Sequence, residues 1–265
     1  MILYPFFPDK SPSIVKPVIC NGSKNSRLSE SISISDSKTA LLIATPTDLK
    51  FLIEDGDSHQ SSESAGNYNS WIVNRESFQV LIAGPVLGAP AAVIACEQLI
   101  ASGIKRIVFF GVCGSLCKKL KCGDVFMPTL ALRSEGTSYH YIEPQKTTYV
   151  CQSLQRQLSE RLSSYGKIQN GVIWTTDAPY RETLKAISWA KDNKAMAVDM
   201  ETSALIAVCA YHRIEFTAIL VTSDSVGDNW ERAFDQSKVL EIRKKITKNL
   251  LHILLSEDFD ENSIC

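Results

Sequence analysis

AAVIACEQLIASGIKRIVFFGVCGSL, running from Ala91 to Leu116, decides the fold. Its first half repeats apolar residues at helical spacing and ends at Gly103, a residue suited to a helix C-terminus. Its second half, from Lys105, is a fully apolar strand running into glycines. A strand pair precedes it, WIVN (Trp71–Asn74) and FQVLIAG (Phe78–Gly84), joined to the helix by the turn GPVLGAP. Strand, helix and apolar strand in succession predict an α/β sheet covered on both faces.

The same alternation extends in both directions. TALLIAT (Thr39–Thr45) reads as a buried strand, Pro46 and Asp48 mark a turn, and LKFLIE begins a helix. Residues 54–70 read as a polar loop. Downstream, GDVFMPTLALR is strand-like, CQSLQRQLSERLSSYG is an amphipathic helix, and GVIWTTDAP is another strand. ETLKAISWAKDN is helical, AVDM is a short strand, and ETSALIAVCAYHR is a helix buried all round. FTAILVTSDS is a last central strand, and Ser237 to Leu255 a closing helix. No linker interrupts this run, so residues 39–256 are expected to be one domain. Residues 1–38 are serine-rich with few large apolar groups, the composition of a flexible extension in which MILYPFF is a candidate apolar anchor. Residues 257–265 read as a tail.

Composition narrows the function. A formal net charge of −1 gives no global attraction to nucleic acid or anionic membranes. The longest apolar candidate, Leu81 to Cys96, is broken by Gly84, Pro85, Gly88 and Pro90 and is too short to span a bilayer. Pro5 and Pro8 interrupt an N-terminus that has no basic start, so no secretory signal is read there. Cys96, Cys113 and Cys209 lie within apolar runs, as core residues of a protein from a reducing, cytoplasmic compartment do. The four histidines are dispersed and no CxxC pair occurs, which argues against a metal site.

Ligands of α/β sheets bind beyond the carboxyl ends of strands. Three polar motifs fall at such ends: Gly111-Val112-Cys113-Gly114-Ser115, Asp199-Met200-Glu201 and Ser223-Asp224-Ser225. Each has a plain structural reading. The glycines can form a strand-to-loop turn, acids in a first helical turn are favoured by the dipole, and an aspartate can cap a turn. The functional reading is backbone approach to an anion by the glycines, with two carboxyls dividing the work of holding hydroxyls and giving a proton.

The order of a GxCG strand end, VDMETSAL (Val198–Leu205) and a late SD resembles the nucleoside phosphorylase superfamily. That group includes uridine phosphorylase, hexameric purine nucleoside phosphorylase and methylthioadenosine nucleosidase. The likeness covers about Ala40 to Leu254. RSEGTSYHY (Arg133–Tyr141) is similar to uridine phosphorylases, and TSDS (Thr222–Ser225) to purine-specific members. The resemblance implies a three-layer α/β/α fold around a mixed, partly barrel-like sheet. It implies phosphorolysis of a nucleoside, purine favoured, to free base and ribose 1-phosphate, with phosphate as co-substrate and no cofactor or metal. It further implies a homo-oligomer, dimer or hexamer. Glu201 would accept the ribose 2′ and 3′ hydroxyls, Met200 would pack under the sugar, and His140 would meet its 5′ side. Asp224 would protonate N7 of the base. Gly111, Cys113, Gly114, Arg181 and Arg133 would surround the nucleophile and the base.

The chain departs from this pattern where phosphorylases bind phosphate. Phe109 stands at the position of an arginine and Val112 at that of a small hydroxyl residue, and ATPTDLK offers only Lys50 as a cation. Phosphate would lose the forked contacts of arginine there. A nucleosidase using water is therefore the alternative, and a nucleoside-binding protein without turnover is a third reading.

Overall fold

The structure is a computed structural model. It describes residues 13–17, 38–54, 58–60, 69–76, 78–143, 147–227, 229–256 and 259. The readings of a flexible N-terminal extension, its apolar anchor and the C-terminal tail fall almost wholly outside those residues.

The strands are β1 (Thr39–Ile43), β2 (Ser58–Gln60), β3 (Asn69–Arg75), β4 (Phe78–Gly84), β5 (Arg106–Ser115) and β6 (Val125–Ser134). They continue as β7 (Thr147–Tyr149), β8 (Ile168–Thr176), β9 (Ala195–Asp199), β10 (Glu215–Val226) and β11 (Trp230–Arg232). The helices are α1 (Pro46–Ile53), α2 (Ala89–Ala101), α3 (Gln152–Leu162), α4 (Leu184–Asp192), α5 (Thr202–His212) and α6 (Ser237–Leu254). Among the described residues all strands join one mixed sheet, ordered β11-β10-β6-β8-β9-β5-β1-β4-β3-β2, with β7 beside β6. A further β10–β5 pairing closes β5, β10, β6, β8 and β9 into a ring, and β1, β4, β3 and β2 extend from it as an open wing. The sheet is thus barrel-like at one end and flanked by helices.

Alternation along the central strands builds both faces. Leu42 and Ala44 of the β1 segment, Phe109 of β5 and Leu220 of β10 share one core with α2 and α5. Ile43, Phe110 and Val221 share the other with α1, α3 and α6. A strand buried on both sides needs apolar residues at every position, hence the unbroken IVFF. Cys96, Cys113 and Cys209 are buried free thiols, whereas Cys151 is disulfide-bonded, so the reading of core thiols does not extend to it.

Two expectations change. The polar loop at 54–70 contains the short strand β2, paired with β3. The glycines of GVCGS, expected as a turn, lie inside β5, with Gly111 opposite Leu220, Gly114 opposite Asp224, and Gly114 also opposite Val198. The strand runs on because β10 continues alongside it, a partner about a hundred residues away that local sequence does not reveal.

Among the described residues, no helix is long and apolar enough to cross a membrane, and no group of three or more His, Cys, Asp or Glu is placed to hold a metal ion.

Candidate active site

Glu201 sits between the end of β9 and the start of α5, and is only 4 % exposed. Its Oε1 accepts the Gly88 amide at 2.6 Å and its Oε2 the Met200 amide at 3.3 Å. Gly88 precedes α2 with φ +82, a left-handed conformation that glycine adopts without strain. A β-carbon there would stand 4.0 Å from Met200 Cε, so Gly88, Met200 and Glu201 form one floor. Burial, and then the charge of Asp199, push the Glu201 carboxyl up to about 8. Such a group is primed to take a cation or hydroxyl donors, each of which favours its charged form.

Asp199 has a different task. Its Oδ1 accepts the Thr175 hydroxyl at 2.7 Å and its Oδ2 the Thr202 amide at 2.9 Å, tying β8 to the first turn of α5. Both oxygens are used, as a structural carboxylate requires. Burial raises its pKa, opposed by the Thr202 and Thr175 hydrogen bonds.

Asp224 comes from β10. The β10–β5 register slips between Thr222 and Asp224, so Ser223 is an extra residue in the ladder. Such bulges re-aim side chains and are frequent beside active sites. The Asp224 carboxylate takes the Ser223 hydroxyl on Oδ1 and the Trp230 indole N–H on Oδ2, both at 2.8 Å. It lies across β5 where Gly114 has no side chain. A β-carbon on Gly114 would meet Val226 Cγ2 at 3.0 Å, Val198 Cγ1 at 3.1 Å and Asp224 Oδ2 at 3.2 Å. Gly114→Ala is therefore expected to displace the carboxylate and lower kcat by about 10²-fold, since small misplacements of reacting groups cost that much. Steady-state kinetics, with thermal melts to confirm folding, would check it; unchanged kcat would sink the assignment.

The other expected residues are more scattered. Val112 is half-buried in β5, and Cys113 is buried with Sγ 3.8 Å from Thr222 Oγ1. Burial pushes the Cys113 thiol far up, which disfavours a nucleophilic thiolate. Gly111 packs close: its β-carbon would meet Ala44 Cβ at 3.0 Å and Phe109 Cζ at 3.2 Å. His140 and Arg181 are exposed, on the short turns Ser138–His140 and Pro179–Arg181. Lys50 is exposed and pairs with Glu54 at 3.4 Å. Arg133 is buried, and its guanidinium holds the 133–143 loop. It donates to Ser138 Oγ at 2.9 Å and to the carbonyls of Glu143 at 2.6 Å and Ile142 at 3.3 Å. Buried Glu135 fastens the same loop to α5 by accepting the Ser203 hydroxyl and the Ser138 amide, both at 2.8 Å.

Sequence reasoning missed Gly88, Glu182 and Trp230. The Gly-Ala-Pro of GPVLGAP is a helix-start signal that points to Gly88. Glu182 is half-buried beside exposed Arg181, and burial followed by the charge of Asp224 pushes its carboxyl up to about 7. No local signal marks Trp230.

The family profile described as the phosphorylase superfamily matches residues 38–256. The chain belongs to the phosphorylase superfamily. An uncharacterised protein of Acanthamoeba polyphaga mimivirus is 31 % identical over 149 residues, 55 % of this chain and 58 % of that protein. A guanosine phosphorylase of Halorubrum lacusprofundi is 26 % identical, over 77 % of this chain and 95 % of its own. A 5′-methylthioadenosine/S-adenosylhomocysteine nucleosidase of Buchnera aphidicola is 28 % identical, over 75 % and 85 %. The crystal structure of Toxoplasma gondii purine nucleoside phosphorylase shares the fold at a TM-score of 0.74 and 19 % identity, covering 85 % of this superfamily member and 93 % of that chain.

The titration of Glu201 gives a test independent of substrate. Its folded-state pKa of about 8 lies above its ordinary value of 4.5. The stability this confers is complete below the ordinary value and is lost as pH rises through the folded one. Glu201→Gln has no such loss. The difference in Tm between the variant and the wild type is expected to move in the variant's favour from pH 5 to pH 8 and then level. A flat difference would mean Glu201 is not a desolvated acid.

Proposed function

We propose that this chain cleaves the N-glycosidic bond of a purine nucleoside. The observation that carries the reading is the buried Glu201 carboxyl, held by the Gly88 and Met200 amides between β9 and α5. Breaking the bond builds positive charge on the ribose and negative charge on the base. A carboxylate on the ribose side stabilises the first, and proton donation from Asp224 to N7 relieves the second. The bond breaks heterolytically, and this reading invokes neither a metal nor an organic cofactor.

The family resemblance favours phosphate as the nucleophile; the departures at Phe109 and Val112 and the placement of the cations favour water. Phe109 is fully buried where a phosphate-binding arginine is expected. Lys50 faces Glu54, and Arg133 is engaged with loop carbonyls. At the end of β1, buried Arg243 is already neutralised by Asp48, with Nε to Oδ1 at 2.9 Å. Of the cations named for the anion, Lys50 and Arg133 already have partners, and Arg181 lies exposed on its own turn.

Base release from adenosine, inosine, guanosine, methylthioadenosine and uridine, with and without phosphate, tests both parts. The expected result is purine release at a rate independent of phosphate, with free ribose or its 5′-modified form as product. A strict phosphate requirement with a ribose 1-phosphate product would overturn the nucleosidase reading. Silence across the panel with nucleoside binding retained would favour a binding protein.

A further inference from the structure

β11 runs antiparallel to the end of β10, with Trp230 opposite Val226 and Arg232 opposite Asp224. Trp230 therefore stands on the diagonal from Asp224, a spacing that an aromatic side chain can bridge on one face of a sheet. It does so here, where the indole N–H donates to Asp224 Oδ2 at 2.8 Å. Arg232, directly opposite, turns instead to Asp235, with Nη2 to Oδ2 at 2.7 Å. A neutral donor thus holds the carboxyl where a guanidinium would favour its charged form. Trp230 is 63 % exposed, so its ring contributes little to the core.

The two oxygens of Asp224 are held by unlike donors. An indole N–H can only donate, so the oxygen it reaches must keep a lone pair for it. A hydroxyl can also accept. Ser223 Oγ donates to Oδ1 at 2.8 Å, and the Cys113 carbonyl lies 3.4 Å from the same hydroxyl as a second acceptor to which it can turn. Oδ1 is thus the oxygen free to carry a proton.

We infer that Trp230 is a positioning residue for the general acid: its indole N–H reserves Oδ2 as an acceptor, leaves the transferable proton to Oδ1, and steadies the carboxylate formed when that proton departs. This rests on the purine-cleaving reading above. As the C1′–N9 bond breaks, its electron pair goes to the base and the Oδ1 proton moves to N7. Asp224 becomes a carboxylate with its charge shared between both oxygens. The hydrogen bond from Trp230 then strengthens, because bonds to an ionised acceptor are roughly twice as strong as neutral ones. An interaction that tightens along the reaction raises kcat rather than lowering KM. Water adds to C1′, and the proton it releases restores the acid.

The test is steady-state kinetics of Trp230→Phe, which keeps an aromatic ring and removes the N–H. Adenosine, inosine and p-nitrophenyl riboside are the substrates, and the substitution is made in the wild type and in Asp224→Asn, with melts to confirm folding. In the wild type, kcat for the purine nucleosides is expected to fall about tenfold, the step from a charged to a neutral hydrogen bond, with KM moved by less than about twofold. The p-nitrophenyl riboside, whose leaving group takes no proton, is expected to lose less than about twofold. In Asp224→Asn the substitution is expected to cost nothing further, because two residues serving one proton transfer are not additive. An unchanged kcat, equal losses on both kinds of substrate, or the same loss in Asp224→Asn as in the wild type would overturn the assignment while leaving purine cleavage standing. Failure of the wild type to release either base would remove the purine reading and this inference with it.

Discussion

Asp224→Asn is expected to slow purine release by about 10²–10⁴-fold, the usual worth of a general acid. The replacement is nearly isosteric, and the surroundings can accept it. The asparagine oxygen keeps the Trp230 indole N–H, which can only donate. The amide nitrogen then faces Ser223, whose hydroxyl can rotate to accept. The bulge at Ser223 and the bare Gly114 beneath the side chain are unchanged. What is lost is the proton that N7 takes as the bond breaks. A riboside with a leaving group that needs no proton, such as p-nitrophenolate, should therefore lose far less. Equal losses on both substrates would point to a disturbed fold, and full activity on purine nucleosides would remove Asp224 from the mechanism.

The parts of this site that were legible in the sequence are those built from neighbours in the chain. Alternating apolar strands and helices, Gly103 after α2 and the VDMETSAL segment are all local signals, and they gave the layered sheet and the mouth of α5. Asp199 and Glu201 lie two residues apart, yet only the structure separates their tasks. Thr175 and the Thr202 amide engage the first, and Gly88, more than a hundred residues earlier, engages the second. The extra residue at Ser223 is invisible without the register against β5. GVCG misleads because glycines after an apolar run look like a turn, whereas here they make room for Ala44 and Asp224 across a continuing strand. The surroundings of Arg133 were illegible for a similar reason. Arg133 carries the right charge, but its donors are claimed by carbonyls of a loop folded over α5.

Arg243→Met is expected to destabilise the fold by about 3–5 kcal/mol, the cost of leaving one partner of a buried ion pair uncompensated. For a domain of this size that lowers Tm by about 2–4 °C per kcal/mol. Arg243 and Asp48 are both fully buried, 195 residues apart in sequence. Two parallel hydrogen bonds join them, at 2.9 and 3.0 Å, and Arg243 also donates to Thr45 Oγ1 at 2.8 Å. Thr45 in turn caps α1 by accepting the Asp48 amide at 3.2 Å. The cluster therefore pins α6 to the turn that follows β1. The pair is not ideally satisfied, since Arg243 Nη1 has no hydrogen-bond partner and the guanidinium stacks over Phe234 at 4.6 Å. An apolar replacement of both partners, Asp48→Leu with Arg243→Met, should accordingly recover much of the loss, because it removes the stranded charge along with its partner. Denaturant or thermal unfolding of the single and double variants separates these cases. A single variant within about 1 kcal/mol of the wild type would mean that the pair is weak, as exposed pairs are. A double variant no better than the single would mean that the Thr45 cap, rather than the stranded charge, carries the energy.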